Sequence, residues 1–136
     1  NVFLISVATG VISAITTGFP GGQIPNLIDK PITGFAFFLL LLGFKKVVST
    51  LTKYKILNKV GTVFNAGLLT AVGTIISGTI FLGTALLLVG LPGGATFSIL
   101  FLTVVLPTTA VNTALMVLIY PIALNVAKRS NLTIAA

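Results

Sequence analysis

Histidine, cysteine and tryptophan are absent from this chain of 136 residues, and acidic side chains are reduced to one, Asp29. Without cysteine there is no disulfide framework and no thiolate chemistry. Without histidine the commonest general base and metal ligand is missing. A single carboxylate excludes paired-acid hydrolysis and a carboxylate metal cage. The composition therefore argues against an enzyme and implies no metal and no cofactor. Charge of any kind is scarce, at 7% of residues, where soluble domains carry about 25%.

Apolar sequence fills the space. Hydrophobic residues make up 56% of the chain and the mean hydropathy is +1.18. Long unbroken apolar runs exclude the roughly ten-residue alternation of a membrane β-barrel and predict an all-α, polytopic transmembrane helical bundle. At about 20 residues per crossing, the chain divides into four spans, 2–19, 26–44, 61–89 and 95–126, within a single transmembrane domain covering 1–136. The uncharged stretch 60–127 is too long for one crossing, and VGLPGG at 89–94 is its turn. Asn1, rather than Met, opens directly into apolar sequence, so a further amino-terminal portion is expected before it.

The cations set the orientation. Lys45, Lys46, Lys53, Lys55 and Lys59 crowd one loop, and Lys128 and Arg129 lie near the carboxyl end. That is the positive-inside pattern and not a nucleic-acid surface. It predicts a multi-pass protein of the cell membrane with loop 45–59 and the carboxyl terminus cytoplasmic. Both proline–glycine turns, GFPGGQIPN and VGLPGG, then face outside. Val47, Val48, Leu51 and Tyr54 are expected to form the apolar face of a short surface helix whose lysines meet anionic lipid. Asn131, Leu132 and Thr133 match a glycosylation pattern but fall on the cytoplasmic side.

Small residues recur every four positions at Ser6, Gly10, Ala14 and Gly18, and again at Thr62, Ala66, Thr70, Thr74 and Gly78. Residues four apart share a helix face, so these stripes read as packing surfaces for close helix approach. A weak internal repeat is also visible: each half carries a Pro-Gly-Gly turn followed by a proline-bearing helix, KPIT in one and LPTT in the other.

Asp29 sits in GFPGGQIPNLIDKP, beside Lys30. The fourteen residues between Lys30 and Lys45 give about 21 Å of helix, short of an apolar core about 30 Å thick. Either the lysines snorkel, or helix begins before Lys30 and draws Asp29 inward. Asp29 has several open roles: favouring a helix amino terminus capped by Asn26 or, with Pro31 in the first turn, by Lys30; pairing with Lys30 or a headgroup; binding a ligand; carrying a proton. Gln23, Asn26, Gly93 and Gly94 are further polar candidates near the outer face. Phe19 and Phe97 flank the turns as aromatic walls, and Asn112 is an amide within the fourth span that needs a partner. Pro107 and Pro121 interrupt that span and free backbone carbonyls.

Three segments, TGVISAITTGFPGGQIPNLIDKPITGFAFF, LLLVGLPGGATF and VVLPTTAVNTALMVLIYPI, resemble the bacterial tryptophan transporter TrpP family over 7–122, most specifically through FPGGQIPNLIDKP. The resemblance implies about six spans, of which these are the last four. It also implies kinship with the substrate-binding S components of energy-coupling-factor (ECF) transporters, which hold a small molecule near the extracellular side under two loops. Carried over, it makes L-tryptophan the ligand, held in a lipid bilayer protein by Phe side chains on the indole, Asp29 on the ammonium, and Lys30 or loop N–H groups on the carboxylate. ECF transmembrane and ATPase subunits are possible partners, since no Walker A motif occurs here. The alternatives are an S component for another small aromatic or vitamin-like solute, and a non-transporting membrane scaffold.

Overall fold

A computed structural model describes residues 2–51 and 60–130, with side chains at 45–51, Val60 and Lys128 left aside. Tyr54, Lys53, Lys55, Lys59 and the 131–133 pattern lie outside the described residues. Every element among the described residues is helical. Helix α1 covers Val2–Thr16, α2 Gln23–Leu51 and α3 Val60–Leu88. A 3-10 turn at Pro92–Gly94 leads into α4, Phe97–Leu100; a π-helical segment, Phe101–Val105, joins α4 to α5, Leu106–Arg129.

Local chemistry sets the boundaries. Thr17 accepts the Phe19 N–H, and Gly22 N–H reaches the Phe19 carbonyl at 2.9 Å. Pro20 and the left-handed Gly21 (φ 70°) occupy the two central positions of that turn, the residues a type II turn requires. The first helix therefore stops at Thr16, short of the expected 19. Helix α2 starts at Gln23, ahead of the expected 26, because Pro25 falls in its first turn, where a missing N–H removes no intrahelical bond. Asn26 and Lys30 thus lie inside α2 and cap nothing, and Pro31 is an interior proline. At the other end the backbone continues helically past Lys45 and Lys46 to Leu51. A separate surface helix beginning at 45 is not formed there.

Pro107 leaves its mark further along. It has no N–H for the usual partner, Thr103, and the preceding turn widens so that Leu106 N–H bonds to Phe101 O. Thr103 and Thr109 hydroxyls donate to the carbonyls of Ile99 and Val105, both at 2.7 Å. The π turn adds a residue to the local register, and Val104 and Val105 both turn toward the hollow described below.

Packing follows chain order: α1 on α2, α2 on α3, and α3 on α4, the π segment and α5. Among the described residues no Cα of α1 lies within 8 Å of one in α3, and none of α2 within 8 Å of one in α5, so the helix backbones form a row in place of a closed bundle. Close approach between α1 and α2 depends on the small stripe expected from sequence. Ser6, Gly10 and Ala14 are the buried residues of α1. A Cβ at Gly34 of α2 would collide with Ser6, and one at Gly10 would lie 3.4 Å from the Asn26 carbonyl and Lys30 Cβ.

Both proline–glycine turns lie at one end of the row, since a Cβ at Gly21 would strike Val89 and Phe19 meets Phe81 edge-on at 5.1 Å. The burial pattern is inside out. Phe3 is 67% and Leu87 83% exposed, whereas Asp29 is 0% exposed and, with Pro25, the largest fully buried side chain. Water would reject such a surface; lipid requires it. Gln23–Phe44, Gly61–Leu88 and Phe97–Ala127 are each long and apolar enough to cross a membrane, and α1 is a shorter apolar helix.

Candidate functional site

Asp29 is the seventh residue of α2, roughly 9 Å from the helix start at 1.5 Å per residue. It lies within the Gln23–Phe44 stretch. Helical spacing puts Thr33 one turn below it, and the Thr33 hydroxyl donates to Oδ1 at 2.6 Å. Lys30, next in sequence, folds its ammonium back onto Oδ2 at 2.5 Å. The remaining donor comes from another helix: Ser77 of α3 donates to Oδ2 at 2.8 Å and accepts from Lys30 Nζ at 3.2 Å. A buried carboxylate needs a countercharge and further donors, and this one has all three. Of the roles left open for Asp29, pairing with Lys30 is present in the structure.

In front of this cluster lies a hollow of about 730 Å³, bordered by α2, α3, the two turns and the α4–α5 rod. That volume falls within the range of about 300–1,000 Å³ usual for small-molecule sites. Helix α2 contributes Asn26, Lys30, Thr33 and Phe37; α3 contributes Thr70, Gly73, Thr74, Ser77, Gly78, Phe81 and Leu82. Thr17, Phe19 and Pro92 come from the turns, and Leu100, Val104, Val105, Thr108 and Asn112 from the last helical rod. Asp29 is not among them. It stands behind Lys30 with every oxygen engaged, while Lys30, whose side chain is 26% exposed, faces the hollow. An ammonium has three hydrogens, and two are committed, to Asp29 and Ser77.

The amides are half-committed in the same way. Asn26 is 7% exposed and donates Nδ2 to the Gly22 carbonyl at 2.9 Å; its Oδ1 accepts no bond among the described residues. Asn112 reaches Thr74 Oγ1 at 3.4 Å, a long bond across to the neighbouring helix. Gly73 makes room for the Phe37 ring, whose Cδ2 would lie 3.0 Å from a Cβ there, and Gly78 makes room for Val105.

Of the residues expected from sequence, Phe19, Asn26, Lys30 and Asn112 border the hollow, and Asp29 supports it from behind. Gln23, Gly93 and Gly94 are exposed and lie off it. Phe97 also lies off it, its ring stacked on Phe101 at 5.9 Å between centroids. Missed from sequence were Thr33, Phe37, Ser77 and Phe81, together with the second role of Thr70, Thr74 and Gly78, which read as a packing stripe and also border the hollow. The signal lay in the pairing of two patterns: Asn26, Lys30, Thr33 and Phe37 on α2 share the spacing of Thr70, Thr74, Ser77 and Phe81 on α3.

A lipid-facing row of helices, three of them long and apolar enough to cross a membrane, defines a class, the multi-pass α-helical membrane proteins. The family with the description "Tryptophan transporter TrpP" matches residues 1–128, and the chain belongs to that family. A protein of Bacillus subtilis (strain 168) named "Probable tryptophan transport protein" is 49% identical over 136 residues, covering 100% of this chain and 70% of the relative. Proteins with the same name from Clostridium perfringens and Clostridium acetobutylicum are 41% and 46% identical over 127 and 106 residues. These alignments cover 90% and 78% of this chain, and the chain spans 65% and 54% of those two relatives. No solved structure matches the chain significantly.

Proposed function

We propose that this chain forms the substrate-binding core of a membrane transporter for the uptake of L-tryptophan, with the ligand in the hollow between α2, α3 and α5. The observation that carries this reading is Lys30, held by a fully buried carboxylate and presented to a cavity of about 730 Å³. Membrane proteins keep buried ion pairs where solute or ions are handled. The names of the relatives supply the particular solute. Phe19, Phe37 and Phe81 offer apolar wall to an indole, Lys30 offers charge, and Asn26 Oδ1 a free acceptor one turn away. In this pose the ammonium meets Asn26, and Asp29 acts on the ligand only through Lys30. A scaffold without a ligand has no use for such a cavity.

The orientation in this proposal follows the cations. The end holding Lys45, Lys46 and Arg129 faces the cytoplasm, and the turns with Gly21 and Gly93 face outside, leaving the cavity nearer the extracellular side. The chain is one transmembrane domain, and energy enters through partner subunits, as in an S component with its membrane partner and ATPase pair. Co-purification with an ATPase pair from native membranes supports that coupling; robust uptake by the protein reconstituted alone refutes it.

Binding of radiolabelled L-tryptophan to the purified protein tests the central reading. Saturable binding is expected, with thermal stabilisation that grows with ligand, by about 2.7 kcal/mol at a hundred times the dissociation constant. Lys30→Gln is expected to weaken it at least ~10-fold, the effect of one charge-assisted hydrogen bond. A flat response to tryptophan across the concentration range overturns the assignment.

A further inference from the structure

Resting on the reading of this hollow as the ligand site, the geometry points to a rule for which ligands it admits: we infer that the charge required of the ligand is its carboxylate, and that the α-amino group is dispensable. The site therefore takes aromatic carboxylates as a class, deaminated indole acids included, and rejects aromatic amines.

The argument starts from which charges a ligand can reach. Among the described residues Lys30 is the charged residue bordering the hollow, while Asp29 is 0% exposed and borders none of it. Asp29 Oδ2 is occupied by Lys30 and Ser77, and Oδ1 by Thr33. The two opposite charges thus form a dipole aimed at the cavity, carboxylate behind and ammonium in front. An anion entering the hollow meets the positive end first, at a point where Lys30 has a hydrogen to spare. A ligand cation meets that same end and is repelled, because its only route to a full negative charge runs through donors already bonded to Asp29. What remains for an α-ammonium among the described residues is neutral: the amide oxygens of Asn26 and Asn112 and hydroxyls such as those of Thr70 and Thr74. Neutral hydrogen bonds contribute less than charge-assisted ones, so losing the amino group matters less than losing the carboxylate.

The test uses the purified full chain in detergent micelles and reads thermal stabilisation separately for L-tryptophan, indole-3-propionate and tryptamine. These share the indole and differ in the charges attached to it. Indole-3-propionate is expected to bind within ~10-fold of tryptophan, and tryptamine at least ~10-fold more weakly than indole-3-propionate. In Lys30→Gln that preference falls to ~3-fold or less, or reverses toward tryptamine as Asp29 loses its countercharge, a result that simple loss of stability would not produce because both ligands are compared on the same variant. Tryptamine binding as well as or better than indole-3-propionate overturns the inference and leaves the tryptophan reading standing if tryptophan still binds. Stabilisation by indole-3-propionate without any by tryptophan supports the inference and overturns the tryptophan reading. No stabilisation by any of the three overturns both.

Discussion

Replacing Lys30 with Gln removes the countercharge from a carboxylate that has no water to turn to. Asp29 is 0% exposed and keeps only the Thr33 and Ser77 hydroxyls. Breaking a buried pair by deleting one partner costs about 3–5 kcal/mol, and the 26% exposure of Lys30 places the expected loss at the lower end, about 3 kcal/mol. Deleting both charges is a different perturbation. In Asp29→Asn with Lys30→Gln, two neutral amides replace the pair, and the uncompensated charge is gone. The double variant is expected to recover to within about 1 kcal/mol of the parent, giving a coupling of about 2 kcal/mol or more in the double-mutant cycle. Unfolding in mixed micelles with increasing SDS, followed by far-UV circular dichroism, measures all four corners. A Lys30→Gln protein as stable as the parent, or a double variant no better than the sum of the singles, would falsify the buried-pair argument.

Other perturbations test the remaining contacts. Gly34→Val drives a side chain into Ser6 and is expected to destabilise by about 1–3 kcal/mol, as overpacking does, with partial rescue by Ser6→Gly in the same unfolding assay. Gly73→Ala puts a methyl group 3.0 Å from the Phe37 ring; tryptophan affinity is expected to fall several-fold with little change in the SDS midpoint. Gln23→Ala, on an exposed side chain off the cavity, is expected to leave ligand affinity unchanged, and a marked loss would relocate the site toward the turns. Because the chain has no cysteine, single cysteines report sidedness cleanly. Gly93→Cys in intact cells is expected to react with an impermeant maleimide and Lys53→Cys to stay unlabelled, and the opposite pattern would invert the proposed orientation.

Much of the architecture was legible along the chain. Helical membrane character, four apolar elements (of which three are long enough to cross a membrane and α1 is shorter) and the placement of both proline–glycine turns at one end rest on local or cumulative properties: hydropathy, helix rise and turn chemistry. The α1 stripe was legible for the same reason, since residues four apart share a face whatever they pack against. Boundaries were less so. Pro25 is a first-turn residue, which moved the start of α2 from the expected 26 to Gln23 and took Asn26 and Lys30 out of any capping role.

The site divides along the same line. The sequence alone determined that one carboxylate and one adjacent lysine would be the charges to watch in an otherwise apolar stretch, because in lipid each such group must find a partner. Only the tertiary structure decided which of the two borders the hollow. That choice depends on the register of α3 against α2, which brings Ser77, 48 positions from Asp29, close enough to complete the carboxylate's bonding and turn it away from the hollow. A register between two helices is set by contacts summed over both faces, and no spacing within a single helix contains it.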